Sequence, residues 1–126
     1  MLKNSIQFLE THRKISFVFA ILWTLIIIFG VTMPGNELPK VNLFDHFDKV
    51  VHFTFFFAFF ILWKMVFAQQ EKSSRIIIAV AIAFGFAIEW YQLNFVAGRS
   101  FDVWDGIFDS LGAFFGFLFY RYYLKV

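Results

Sequence analysis

The sequence predicts an all-α membrane protein: a polytopic bundle of four transmembrane helices joined by short loops, with both termini in the cytoplasm. Three observations lead there. Of 126 residues, 60% are hydrophobic and only 16% charged, against roughly a quarter charged in soluble domains. Four apolar stretches each approach the ~20 residues that a helix needs to cross the hydrocarbon core. Basic residues are also divided unevenly between the two sides that these stretches define. Helices are required because lipid offers no partner for unpaired backbone groups. The length suits one domain, residues 1–126.

The first stretch, Ile15 to Met33, follows Arg13 and Lys14. It is too long for a signal-peptide core, and Thr32-Met33-Pro34-Gly35 is no small-x-small cleavage site, so it reads as a retained helix. It holds no ionisable residue and is expected to support the site from behind. An outer loop, 34–48, includes Asn42 to Phe47, which reads as an amphipathic turn at the interface. The second stretch runs from Val50 to Ala68, the third from Ile76 to Val96 and the fourth from Val103 to Tyr120.

A cytoplasmic N-terminus puts Lys3, Arg13, Lys14, Lys64, Lys72, Arg75, Arg121 and Lys125 inside, and only Lys40, Lys49 and Arg99 outside. Residues 69–74 then form an inner loop and 97–102 an outer one. Trp90, Tyr91 and Trp104 fall where an outer aromatic belt belongs; Tyr120, Tyr122 and Tyr123 fall at the inner one. The Phe stripes read as lipid-facing or packing surface, not as a cofactor box.

The chain lacks cysteine, which excludes disulfides, thiolate metal sites and a Cys nucleophile. The net charge of +2 comes from scattered residues, without the basic stripe that a nucleic-acid partner needs. The expected partner is the lipid bilayer. No nucleophile–base arrangement is strong enough to read as an enzyme, and oligomeric state is not legible.

Acids show the opposite asymmetry to bases. Glu37, Asp45, Asp48, Glu89, Asp102, Asp105 and Asp109 fall in the outer half, and only Glu10 and Glu71 in the inner half. Asp48 and His52 share a helix face, and Gly85, Glu89, Gln92 and Val96 follow one stripe of the third helix. Asp105, Asp109, Gly112 and Gly116 follow a stripe of the fourth, where Gly112 and Gly116 make a small-xxx-small packing pair. Glu89 and Asp109 each sit on the order of 10 Å in from the outer end, with His52 slightly shallower. If these three helices are neighbours, their polar groups meet at one level.

Ionisable groups at that depth cost about 2.5–3.5 kcal/mol each, which makes function the default reading. Asp48, Glu89, Asp102, Asp105 and Asp109 outnumber Lys49 and Arg99 by three charges. Water, protonation, a bound cation or a cationic ligand must meet that shortfall. Glu89, Asp105, Asp109 and His52 suit an O/N metal site, and equally a proton relay or an acid–base pair; no cofactor is firmly implied, and a bound cation is one option. The competing reading is structural. Glu89, Gln92, Asp105 and Asp109 then serve as interhelical glue worth about 0.6 kcal/mol per bond. Arg99 then pairs with a carboxylate, Lys49 snorkels to the headgroups, and His52 packs. His12 and His46 read as interfacial.

Taken together, Asp48-Lys49, His52-Phe53, Glu89, Gln92, Gly98-Arg99-Ser100, Asp105, residue 109, Gly112 and Gly116 resemble the VanZ-like family of small bacterial membrane proteins. The motif-bearing part is about 48–120. One departure is Asp109, where the family usually carries Asn. The resemblance implies a multi-pass protein of the bacterial cytoplasmic membrane, associated with resistance to the glycopeptide teicoplanin. The expected ligand-binding set is Asp48, Lys49, His52, Glu89, Gln92, Arg99, Ser100, Asp105 and Asp109. Its ligand is an envelope component, lipid-linked or anionic, bound or acted on from an acidic cleft facing outward. The alternatives are a cation- or proton-coupled transporter and a structural or assembly protein.

Overall fold

A computed structural model describes residues 1–32, 47–96, 98 and 102–124. It is all-helical over those residues, with α1 Leu2–Thr11, α2 Arg13–Thr32, α3 Phe47–Val66, α4 Ser73–Phe95 and α5 Val103–Phe119. A π-helical turn, Tyr120–Leu124, continues α5. Three helices, α2, α3 and α4, are long and apolar enough to cross a membrane. At 17 residues, α5 covers about 25 Å before its π turn, somewhat short of the ~30 Å core.

Helix α1 has no counterpart in the sequence reading, which sought long apolar runs. This helix is short and amphipathic: Ile6 is buried and Leu9 packs on the core, while Lys3 is exposed. It ends at His12, whose backbone leaves the helical region and whose N–H donates to the Phe8 carbonyl. Ser16 Oγ then bonds back to the Leu9 carbonyl, joining α1 to α2.

The apolar stretches are largely helical over the described residues, with shifted ends: α3 begins at Phe47 and stops at Val66, short of Ala68, and α4 runs from Ser73 to Phe95. The most extensive contact is between α3 and α5, followed by α4 with α5 and α2 with α3. Glycine makes the first of these possible. A Cβ on Gly112 would stand 2.2 Å from the Phe53 carbonyl oxygen, and one on Gly116 would stand 2.8 Å from that of Phe57. The small-xxx-small pair thus rests on the bare backbone of α3, and Gly106 similarly makes room for the Phe86 ring of α4.

Helix α2 packs mainly against α3. Trp23 Nε1 donates to the Phe55 carbonyl at 2.9 Å, and Trp63 Nε1 donates to Thr24 Oγ1 at 3.0 Å. Its remaining faces leave Phe17, Phe19, Leu22, Leu25 and Phe29 about half exposed, a surface suited to acyl chains rather than water. Phe56, Phe59 and Phe84 form the middle of the bundle with Ile27, Ile88 and Ala113.

The end of the bundle where α3 finishes and α4 starts is also polar. Lys64 is 6% exposed, and its Nζ donates to Ser73 Oγ at 2.6 Å and to the Gln70 carbonyl at 3.0 Å. The Tyr120 hydroxyl donates to Glu10, tying the π turn to α1.

Gly112→Ala drives a Cβ into backbone that has no rotamer to yield, and should cost about 1–3 kcal/mol. Gly30→Ala, with no atom within 4 Å of the added Cβ, should not destabilise the chain and should add up to about 1 kcal/mol through helix propensity. Thermal unfolding in detergent micelles reads both; equal midpoints would mean that α3 and α5 do not touch so closely.

Candidate functional site

The site forms where α3 begins, α4 ends and α5 begins. The turn from α4 into α5 passes through Gly98 at φ 74, a left-handed conformation that glycine adopts without Cβ strain. Asp102 is the N-cap of α5, its Oδ1 accepting from the Trp104 N–H at 3.0 Å. The exposed N–H groups of this first turn favour the carboxylates of Asp102 and Asp105.

Lys49 links the helices. Its ammonium donates to Asp48 Oδ2 at 2.8 Å, Asp102 Oδ2 at 2.6 Å and Asp105 Oδ1 at 2.5 Å. The residue is only 9% exposed, so the expectation that it snorkels to headgroups is overturned: three acids hold it inside. Its hydrogen bond keeps the Asp102 carboxyl below the usual carboxylate range. That preference stabilises the folded chain above the ordinary Asp titration, and is lost as pH falls through the lowered value.

One turn deeper, His52 Nδ1 is 2.8 Å from Asp109 Oδ1, while Nε2 is 3.6 Å from Asp105 Oδ2. Asp109 fits because Gly85 lies opposite: a Cβ there would stand 2.9 Å from that of Asp109. Glu89, one helical turn beyond Gly85, accepts the Asp102 N–H on Oε2 at 3.2 Å. Glu89 and Asp109 are both 0% exposed. Their second oxygens, Glu89 Oε1 and Asp109 Oδ2, have no hydrogen-bond partner among the described residues. Water reaches the cluster from the side of Asp48, whose side chain is 60% exposed.

The structure therefore brings together Asp48, Lys49, His52, Glu89, Asp105 and Asp109, and Gly85, Gly112 and Gly116 lie at helix contacts. It divides the expected metal-ligating group. Donor atoms of His52, Glu89 and Asp109 lie within 4.8 Å of one another, whereas Asp105 groups with Asp48 and Asp102. Asp105 leaves the metal set because Lys49 takes its Oδ1. Gln92 turns away to α2, donating to the Val31 carbonyl at 3.3 Å, the interhelical role weighed for it above. Arg99 and Ser100, and Asp45 and His46 of the preceding loop, lie outside the described residues. Asp102 was counted for its charge but not as a site residue. Its signal was local, an Asp directly before an apolar helix.

Two recesses lie elsewhere. An apolar groove of about 610 Å³ runs between α2, α3 and α4 past Thr24, Trp63 and Val80. A polar cleft of about 550 Å³ at the far end is lined by Glu10, Lys64, Glu71 and Arg75. Neither is lined by residues of the cluster.

Lys49→Met leaves three carboxylates facing one another and should destabilise the chain by about 3 kcal/mol, the low end for a broken buried pair because Asp48 reaches water. Adding Asp105→Asn should recover part of that loss. A double-mutant cycle on detergent unfolding checks this, and strict additivity of the two changes would contradict the ion-pair geometry.

The chain matches the VanZ/LLP1 family over residues 5–125. No match is found among curated proteins or among solved structures. With nearly its whole length covered, the chain belongs to the VanZ/LLP1 family.

Proposed function

We propose that this chain is a four-span protein of the bacterial cytoplasmic membrane, with both termini inside, that binds a cell-envelope component at its acidic cluster from the outer side. The observation that carries this reading is the gathering of five carboxylates, Lys49 and His52 at one end of an apolar bundle. Membrane helices retain such groups where they meet a ligand or line a watered cavity. The eight-to-three division of basic residues supports the orientation, and α5 with its π turn supplies the fourth span.

The cluster also favours one kind of ligand. Lys49 is already bound by three acids, so it is a poor anchor for an anionic headgroup. Asp48 and Asp102 at the mouth instead suit a cationic or hydrogen-bond-donating part of the envelope component. The activity implied by the family resemblance is a contribution to teicoplanin resistance.

A transport path finds less support. His52 and Lys64 are twelve residues apart on α3, about 18 Å. The core between them consists of Phe56, Phe59, Phe60 and Ala113, all buried and apolar.

Two experiments test the reading. The chain has no native cysteine, so single cysteines report topology without background. Ser5→Cys and Glu71→Cys should resist a membrane-impermeant maleimide in intact cells, while Asn94→Cys should react; the reverse pattern would invert the orientation. In a Gram-positive host at matched membrane levels, the wild type should reduce teicoplanin susceptibility, and Glu89→Gln with Asp105→Asn should not. Equal protection by both would reduce the cluster to scaffold, and protection by neither would remove resistance as the activity.

A further inference from the structure

We infer that His52, Glu89 and Asp109 form a binding site for one borderline divalent metal ion of the Zn²⁺ or Mn²⁺ kind. The inference uses the same cluster as the proposed function but not its ligand, and the two fail separately.

Geometry is the first support. The three residues come from three different helices, α3, α4 and α5, yet their donor atoms lie within 4.8 Å of one another. Donors about 2.1 Å from a shared ion stand up to about 4.2 Å apart, so the trio is within roughly half an ångström of coordinating distance. The approach is set by backbone contacts, because Gly112 rests on Phe53 and Gly85 faces Asp109. The donors are therefore held by the packing of the bundle rather than by flexible loops.

The second support is independent of the clustering. Glu89 and Asp109 are wholly buried, and each keeps one oxygen, Oε1 and Oδ2, without a hydrogen-bond partner among the described residues. A buried carboxylate oxygen with no donor is costly. Lys49 does not relieve it, since its ammonium is taken by Asp48, Asp102 and Asp105. A Cβ at Gly85 would stand 3.0 Å from Asp109 Oδ2, so the glycine keeps this oxygen unobstructed on the α4 side.

Charge and donor type then select the ion. Two carboxylates and a neutral imidazole carry two negative charges, which a divalent cation cancels and a monovalent one does not. One nitrogen donor with two carboxylate oxygens suits Zn²⁺ or Mn²⁺ better than Ca²⁺ or Mg²⁺, which prefer oxygen alone. Asp102, whose N–H bonds Glu89 Oε2, and Asp105, 3.6 Å from His52 Nε2, would orient the ligating side chains from outside.

The test uses the full chain purified in detergent, stripped with chelator, loaded with Zn²⁺ or Mn²⁺ and freed of excess metal. Elemental analysis should find about one equivalent of one of these ions per chain, as for a single mononuclear site. Glu89→Gln and Asp109→Asn should each retain less than about a tenth of that, in line with the losses that follow perturbation of a metal's ligand shell. Glu71→Gln, at the opposite end, should retain all of it. In case a substitution impairs folding, the wild type alone carries a second readout: its unfolding midpoint should rise with added Zn²⁺ or Mn²⁺ but not with Mg²⁺. Retention of neither ion by the wild type, or equal retention by the Glu89 and Asp109 variants, overturns the assignment. A metal-free wild type would leave a shared proton as the means of satisfying the two oxygens, without touching the teicoplanin result.

Discussion

Two glycines of α5 lie directly against the peptide backbone of α3, Gly112 on Phe53 and Gly116 on Phe57. Between apolar helices in lipid, burial supplies little net attraction, so association depends on how closely backbones approach. Bare helix faces permit that approach. Once the two backbones touch, the side chains a turn or two nearer the end must meet: Lys49 reaches Asp105, and His52 reaches Asp109. A side chain at residue 112 would hold the helices apart and open both contacts together.

That approach places charges where they are costly, and the molecule limits the cost in layers. Nearest water, Lys49 draws three carboxylates around one ammonium, with Asp102 and Asp105 in the first turn of α5. Their position lets the helix N-terminus share the stabilisation. Deeper in, compensation is incomplete. His52 satisfies one oxygen of Asp109 and the Asp102 N–H satisfies one of Glu89, while the other two oxygens find no partner among the described residues. Partly satisfied networks in a poorly polarisable interior are expected where a protein handles an ion, a proton or a ligand.

The opposite end is built by a different economy of polar groups. Lys64 is bonded to a side-chain hydroxyl and a backbone carbonyl, and Tyr120 reaches Glu10 of the short first helix. These contacts close the ends of α3, α4 and α5 upon α1. The buried Phe residues between the two ends keep their polar groups apart.

The long helices and the level of the acids were legible in the sequence, because both are local properties. Unbroken apolar runs dictate helices in lipid, and the spacing of Asp105, Asp109, Gly112 and Gly116 dictates a shared face. Helix α1 escaped notice because its signal is amphipathic and brief. Asp102 had a readable capping position, but its grip on Lys49 joins residues 53 apart in sequence. Tertiary structure alone decided which acids Lys49 would take and which two carboxylates would be left incompletely paired. Composition counts the charges on each side of such a bundle, but partners are assigned by distances between helices. Those distances follow from where glycine lets one backbone rest upon another.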